Sequence, residues 1–260
     1  MGLKSAFIDV LKYVLPLRVK NSLVHLSFNL ARPEFDKFSY EYALAPNMKW
    51  SLAAMAKRGF APNTIIDVGA FEGAWSKMAK SIWPRCQVIM IEPNPAKREV
   101  LATVAEETSA RVLHELLGSE NDGQVTFYVM ESGSSILNER SAVPRKGETR
   151  HLRTLDSLLN RVGRPCFLKI DAQGYELEIL QGAAETLQQT DAVLLEVALI
   201  EINEGAPLLH EVISFMHCAG FVAYDIVEFH RRPLDRALNQ IDIIFVRPTS
   251  PLISDKRHFA

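Results

Sequence analysis

The chain has 260 residues, 48% of them hydrophobic, with 13 glycines and a formal net charge of −2. That composition is of an ordinary globular protein, and the near-neutral charge excludes a nucleic-acid binder that lives on bulk phosphate attraction. Cys86, Cys166 and Cys218 are odd in number, far apart and without a C-x-x-C, which points to a reducing cytoplasm with no disulfide and no metal site.

Residues 1–45 read as a helical extension. Phe7, Ile8, Val10, Leu11, Val14, Leu15 and Leu17 make an apolar face bordered by Lys4, Lys12, Arg18 and Lys20. Asp9, these cations and Pro16 interrupt it far short of the ~20 apolar residues that a membrane span needs. No small-residue cleavage site of a secretory signal follows. Met1-Gly2 opens like an acylation site, but Ala6 stands where Ser or Thr is wanted. A basic amphipathic helix of this kind suits peripheral contact with a membrane surface. The same stripe also serves for packing on the domain or on a second subunit in a homodimer, its commoner use.

After an aromatic-rich connection, 48–58 reads as a helix closed by Gly59 and followed by Pro62. Strand and helix patterns then alternate: strand 64–68, helix 73–81, strand 87–91, helix 95–108, strand 111–116. Residues 124–130 alternate as a strand in a hairpin with a neighbour, whereas 131–150, rich in Ser, Gly and charge, read as a loop. Regularity returns with helix 153–161, strand 166–170, helix 175–189, strand 192–197 and helix 208–219. Strands 221–227 and 241–246 finish the pattern, and 249–260 reads as a loosely held tail. Such alternation predicts one α/β domain over 46–248, built on a parallel sheet with right-handed crossovers.

In an open doubly wound sheet, ligands sit beyond the carboxyl ends of the strands. Asp67, Glu92, Asp171 and Glu196 close four of the first five expected core strands, a more informative pattern than any single motif. The first of these strands leads into Asp67-Val68-Gly69-Ala70-Phe71-Glu72-Gly73. Gly69 and Gly73, lacking Cβ, let backbone N–H groups approach a ligand closely. Their spacing is G-x-x-x-G rather than the G-x-G-x-x-G of a dinucleotide site, which counts against an NAD-dependent oxidoreductase. An acidic turn suits a ligand that carries an ammonium and a sulfonium and no phosphate, as S-adenosylmethionine (SAM) does. Glu92, 19 residues beyond Gly73, falls where an acid meets both hydroxyls of a ribose. For Glu92 and Asp171 the duller alternative is helix capping.

Four separated runs carry a resemblance. DVGAFEGAW (67–75), EPNP (92–95), TLDSLL (154–159) and KIDAQGYELEILQGA (169–183) resemble, in the right order, the FkbM family of SAM-dependent methyltransferases. The closing run 242–246 is similar to that family's last strand. The resemblance covers about 46–247 and leaves the first ~45 residues outside. It implies a class I, Rossmann-like fold whose seven-stranded, mostly parallel sheet has its last strand antiparallel. It also implies O-methylation of a sugar, glycolipid or polyketide-type hydroxyl. The expected SAM contacts are Asp67, Gly69, Ala70, Phe71, Gly73, Glu92, Asn94, Leu117 and Asp171. Gln173 stands where many members carry Glu.

A hydroxyl that attacks a methyl group must lose its proton, and a positioned base contributes about 10²–10⁴-fold. Asp171 is the first candidate for this catalytic role and Glu196 the second. His151 and His230 lie in or near loops that can fold over the site, while His114 lies on the third strand, away from the methyl. Asp171 and Glu196 alternatively suit a Mg²⁺ that holds a diol, although no third acid is evident. Ser132 to Ser135 and the basic run Arg145, Lys146, Arg150, His151, Arg153 read as a lid for an anionic acceptor, or simply as a solvated loop. A non-catalytic SAM- or nucleoside-binding scaffold would need the same cradle.

Overall fold

The computed structural model describes residues 15–130, 133–141 and 143–258. The chain forms two compact units, Met1–Asn47 and Met48–Ala260. The first contains α1 (Leu17–Leu30) and α2 (Arg32–Glu41), the latter with Pro33 in its first turn. Most of the apolar face expected in the first twenty residues lies outside the described residues. Among those described, no helix is long and apolar enough to cross a membrane.

The second unit opens with α3 (Met48–Lys57), β1 (Thr64–Val68), α4 (Ala74–Ile82) and β2 (Gln87–Ile91). Next come α5 (Arg98–Thr108), β3 (Arg111–Leu113), β4 (Leu116–Leu117), β5 (Gln124–Val129) and β6 (Lys146–Arg153). Then follow α6 (Leu155–Leu158), β7 (Cys166–Ile170), α7 (Glu176–Gln181) and α8 (Ala184–Gln188). The unit closes with β8 (Ala192–Ala198), α9 (Leu209–Cys218), β9 (Val222–Arg231) and β10 (Leu238–Val246).

Seven strands form one sheet in the order β3-β2-β1-β7-β8-β10-β9. The first five run parallel, and β10 lies antiparallel between β8 and β9. The expected mostly parallel sheet with an antiparallel closing strand is therefore present. Every residue of β1 and β7 is buried, as strands covered on both faces must be. Successive side chains go to opposite faces: Ile66, Leu168 and Leu195 enter one core, and Ile65, Phe167 and Leu194 the other. Burying each such side chain contributes about 1.5–3 kcal/mol.

A small second sheet, β4-β6-β5, encloses Leu116, Phe127 and Leu152. Here the sequence expectations need correction. Residues 146–153 are a strand, antiparallel to β5, rather than part of a loop. Their sequence, KGETRHLR, shows little apolar alternation because backbone pairing with β5, and not burial, holds most of it. The expected strand 111–116 divides at His114, its last part joining the second sheet as β4. The helix expected over 153–161 spans only Leu155–Leu158. That over 175–189 breaks at Gly182, where a Cβ would lie 2.1 Å from the Gly118 carbonyl oxygen.

Candidate active site

β1 and β7 pair residue for residue, Val68 opposite Ile170, so their ends finish side by side. Immediately beyond, a Cβ on Gly69 would lie 1.8 Å from the Asp171 carbonyl oxygen, and Gly69 has φ +72. Only glycine fits this approach. The turn is anchored on the other side by Gly69 N and Ala70 N, which donate to Ile91 O at 2.9 and 3.2 Å.

Phe71 occupies the left-handed region at φ +49, which aims its N–H at Glu92 Oε2, 2.8 Å away. Asn94 N donates to Glu92 Oε1, also at 2.8 Å. Each carboxylate oxygen of Glu92 thus holds one backbone donor and keeps acceptor capacity for a ligand. Burial pushes this carboxyl above its usual range, against the pull of the Asn94 and Phe71 donors. Asn94 itself caps the following turn through Ala96 N.

These groups line a cavity of 240 Å³ at the carboxyl ends of the strands. Gly69, Phe71, Glu92, Asn94, Leu117 and Asp171, six of the nine expected cofactor contacts, face it. Phe127, Ser134, Ser135 and Ile136 form another wall, with Gln173 and Tyr175 beside Asp171. Three expected contacts do not line it. Asp67 is fully buried, accepting from Ser76 Oγ at 2.7 Å and facing Lys169 Nζ at 3.1 Å. Ala70 is buried behind the turn. Gly73, at φ +75, starts α4, and a Cβ there would meet Val104 Cγ1 at 2.8 Å, so its role is close packing.

Lys169 was not singled out from sequence, although a lone cation inside the buried run Cys166–Ile170 was a signal. Its ammonium reaches Gly69 O at 3.0 Å and lies 3.7 Å from Asp171 Oδ2. Burial works against this charge, but Asp67 and Asp171 outweigh it and hold the Lys169 pKa above the ordinary value.

The two candidate bases are brought together through Gln173. Its Nε2 donates to Asp171 Oδ1 at 2.9 Å and to Glu196 Oε2 at 2.8 Å. Glu196 does not line the cavity; it borders a separate, water-sized void of about 10 Å³ with Glu176 and Gln240. Burial, and then Asp171, Asp242 and Glu176, hold the Glu196 carboxyl well above its usual range. Glu176, accepting from Ala172 N and Gly174 N at 2.9 and 3.0 Å, is pushed by burial up to about 7.

His230 Nε2 lies 3.3 Å from Asp242 Oδ2, a hydrogen bond that raises the His230 pKa. One ligand-capable atom from each of Glu196, His230 and Asp242 falls within 4.8 Å of the others. None of His114, His151 and His230 lines the cavity. Of the expected basic lid, Arg145 is held by Asn138 Oδ1, Glu139 O and Ser141 O, and Arg150 by Pro93 O. Lys146 pairs with Glu148 and Arg153 reaches Asn121, so these cations brace the second sheet. Ser132 lies outside the described residues.

A seven-stranded sheet of this order, with its ligand cavity over the tips of β1, β2 and β7, defines the class I methyltransferase fold. Among solved structures, the chain resembles the FkbM methyltransferase of Methylobacillus flagellatus: 16% identity, TM-score 0.47, covering 71% of this chain and 44% of that one. It also resembles Aeropyrum pernix fibrillarin with natively bound SAM: 15% identity, TM-score 0.42, covering 75% and 74%. The chain thus spans less than half the length of the first of these relatives. No curated protein matches its sequence significantly. The methyltransferase FkbM domain matches residues 67–223, well over half of the chain. The protein belongs to that family.

Proposed function

We propose that the protein is a SAM-dependent O-methyltransferase acting on a small hydroxyl-bearing acceptor of the sugar, glycolipid or polyketide type. The observation that carries the reading is the cavity in which a doubly anchored Glu92 carboxylate faces the tip of β7 across the Gly69 turn. Its donor set fits the cofactor. Glu92 offers two acceptors for a ribose diol, Leu117 and Phe127 offer apolar contact for a base, and the Asp171 rim is acidic toward a cation. When bound, SAM would supply an electrophilic methyl group, with its sulfur as the leaving group.

The chain's own work is positioning and proton handling. Gly69 and Phe71 hold the turn open beside the ligand, and Asp171 takes the hydroxyl proton from the acceptor as the oxygen attacks. Orientation of this kind contributes ~7–11 kcal/mol of barrier reduction. Glu196 stands one amide further back and acts through Asp171. Asp67 serves the cofactor indirectly, by fixing Lys169 beneath the turn. Residues 1–45 are assigned to attachment, at a membrane surface or in a homodimer. With Cys86 and Cys166 buried and free, the cytoplasm is the assigned compartment.

Calorimetry with S-adenosylhomocysteine and with NAD tests the cofactor: binding of the first and not the second is expected, and the reverse rejects the reading. Transfer of a labelled methyl to a panel of sugars and glycolipids tests the reaction. Asp171→Asn is expected to bind S-adenosylhomocysteine yet lose transfer by about 10²-fold or more. Binding without transfer to any panel member would favour the scaffold alternative.

A further inference from the structure

Gln173 carries more constraint than its place in a loop would require. It is not glycine, yet its φ is +53, a conformation that persists in non-glycine residues only when the surroundings hold it. Two buried donors do so: Ser135 Oγ and Asn203 Nδ2 both donate to the Gln173 carbonyl oxygen, at 3.0 and 2.8 Å. Ser135 belongs to the cavity wall and Asn203 to the connection after β8, so three separate segments meet at this residue. The side chain then places its one NH₂ group between two carboxylates.

We propose that Gln173 is a positioning residue that clamps Asp171, at the cavity wall, against Glu196 behind it, bridging the two acids through one amide. An NH₂ has two protons, and each is given to one acid. A carboxylate in the same place would have no proton to give and would add a third negative charge. The assignment rests on the SAM-dependent reading of the cavity.

The electrostatic neighbourhood makes the clamp measurable. Glu196 faces Asp171 beyond β7, Glu176 at the start of α7 and Asp242 on β10; His230 and Glu228 on β9 lie against Asp242, and Lys169 against Asp171. Without the Gln173 bridge the acid pair shares a proton at higher pH, with Gln240 Nε2, 2.9 Å from Glu196 Oε2, still donating to it. The positive sulfonium of SAM, which S-adenosylhomocysteine lacks, reports on that charge.

The experiment measures SAM and S-adenosylhomocysteine affinity by calorimetry between pH 5 and pH 9 for wild type, Gln173→Glu and Gln173→Gly. Glycine accepts the positive φ and removes only the amide, so it separates the clamp from the backbone. The expected result is that both variants still bind S-adenosylhomocysteine at pH 8, which shows that the cavity is intact. The pH at which half of the SAM preference disappears moves up by roughly one unit or more. An unmoved midpoint overturns the clamp alone. Loss of S-adenosylhomocysteine binding with a lowered melting temperature in Gln173→Gly also overturns it, because the residue would then be merely structural. A wild type that binds neither compound rejects the cofactor reading and the clamp together.

Discussion

Asp67 and Lys169 stand opposite each other on neighbouring strands and form an ion pair at 3.1 Å, their side chains 0% and 8% exposed. The pair joins the two strands that carry the site. Because the same ammonium also holds Gly69 O, the acid under the turn and the turn itself share one anchor.

Removing that anchor leaves an uncompensated buried carboxylate. Lys169→Met is expected to destabilise the fold by roughly 3–5 kcal/mol, read from urea unfolding. Adding Asp67→Asn should recover much of the loss, since neither position of the pair then carries a buried charge. Equal stability of Lys169→Met and wild type would show the pair to be incidental.

Gly69→Ala introduces a Cβ 1.8 Å from a backbone oxygen, at a φ that L-residues avoid. The tips of β1 and β7 must part to admit it. Affinity for S-adenosylhomocysteine is expected to fall by about tenfold or more, a change of ~1.4 kcal/mol or more. An unaltered calorimetric titration would refute the close approach.

Glu92→Gln keeps the shape of the side chain but turns one oxygen into an NH₂, which opposes either the Phe71 or the Asn94 N–H. Hydrogen bonds to a charged acceptor are worth about 1.5–3 kcal/mol. The expected loss in S-adenosylhomocysteine affinity is therefore roughly 10- to 150-fold. Adenine alone, which does not need a ribose acceptor, should bind both proteins equally.

Glu176 gives the fold a pH dependence. Its carboxyl ionises near 4.5 when unfolded and at about 7 when folded, so the folded chain binds the extra proton between those values. Stability attributable to this group is complete below about 4.5 and is lost as pH rises through about 7, by about 3 kcal/mol in all. Both backbone donors reach the same oxygen, Oε1, which an amide can retain. Glu176→Gln should thus be more stable than wild type at pH 8 and equal to it at pH 4.5. Urea unfolding at the two pH values decides.

A chain starting at Met48 should fold and bind S-adenosylhomocysteine as the full chain does, because the second compact unit contains every residue that lines the cavity. A loss of binding in the shortened chain would assign residues 1–47 a part in the site.

What was legible in the sequence follows from where burial writes a pattern. Strands 64–68, 87–91 and 166–170 agree with β1, β2 and β7 to the residue, since apolar runs bounded by turn residues leave little choice. β6 was invisible because its partner supplies hydrogen bonds rather than an apolar face. Gly182, where the helix ends, lies against the Gly118 carbonyl, 64 positions away in the chain, an approach that no local reading can find. Glu92 and Asp171 were named for their places at strand tips, and both line the cavity. Asp67 instead lies inside β1, one residue short of its end, where it pairs with Lys169 below the surface, a pairing that only register reveals.

The position of β10 between β8 and β9 has a bearing on synthesis. A nascent chain that has emerged only to Asp235 has made both flanking strands and neither can pair with the other in the native order. Until Leu238–Val246 follows, two unsatisfied edges remain open to other chains. Ribosome-bound or prematurely terminated products of this protein are thus the species most in need of a chaperone, and a reporter fused after Asp235 should collect in inclusion bodies while one fused after Val246 should not.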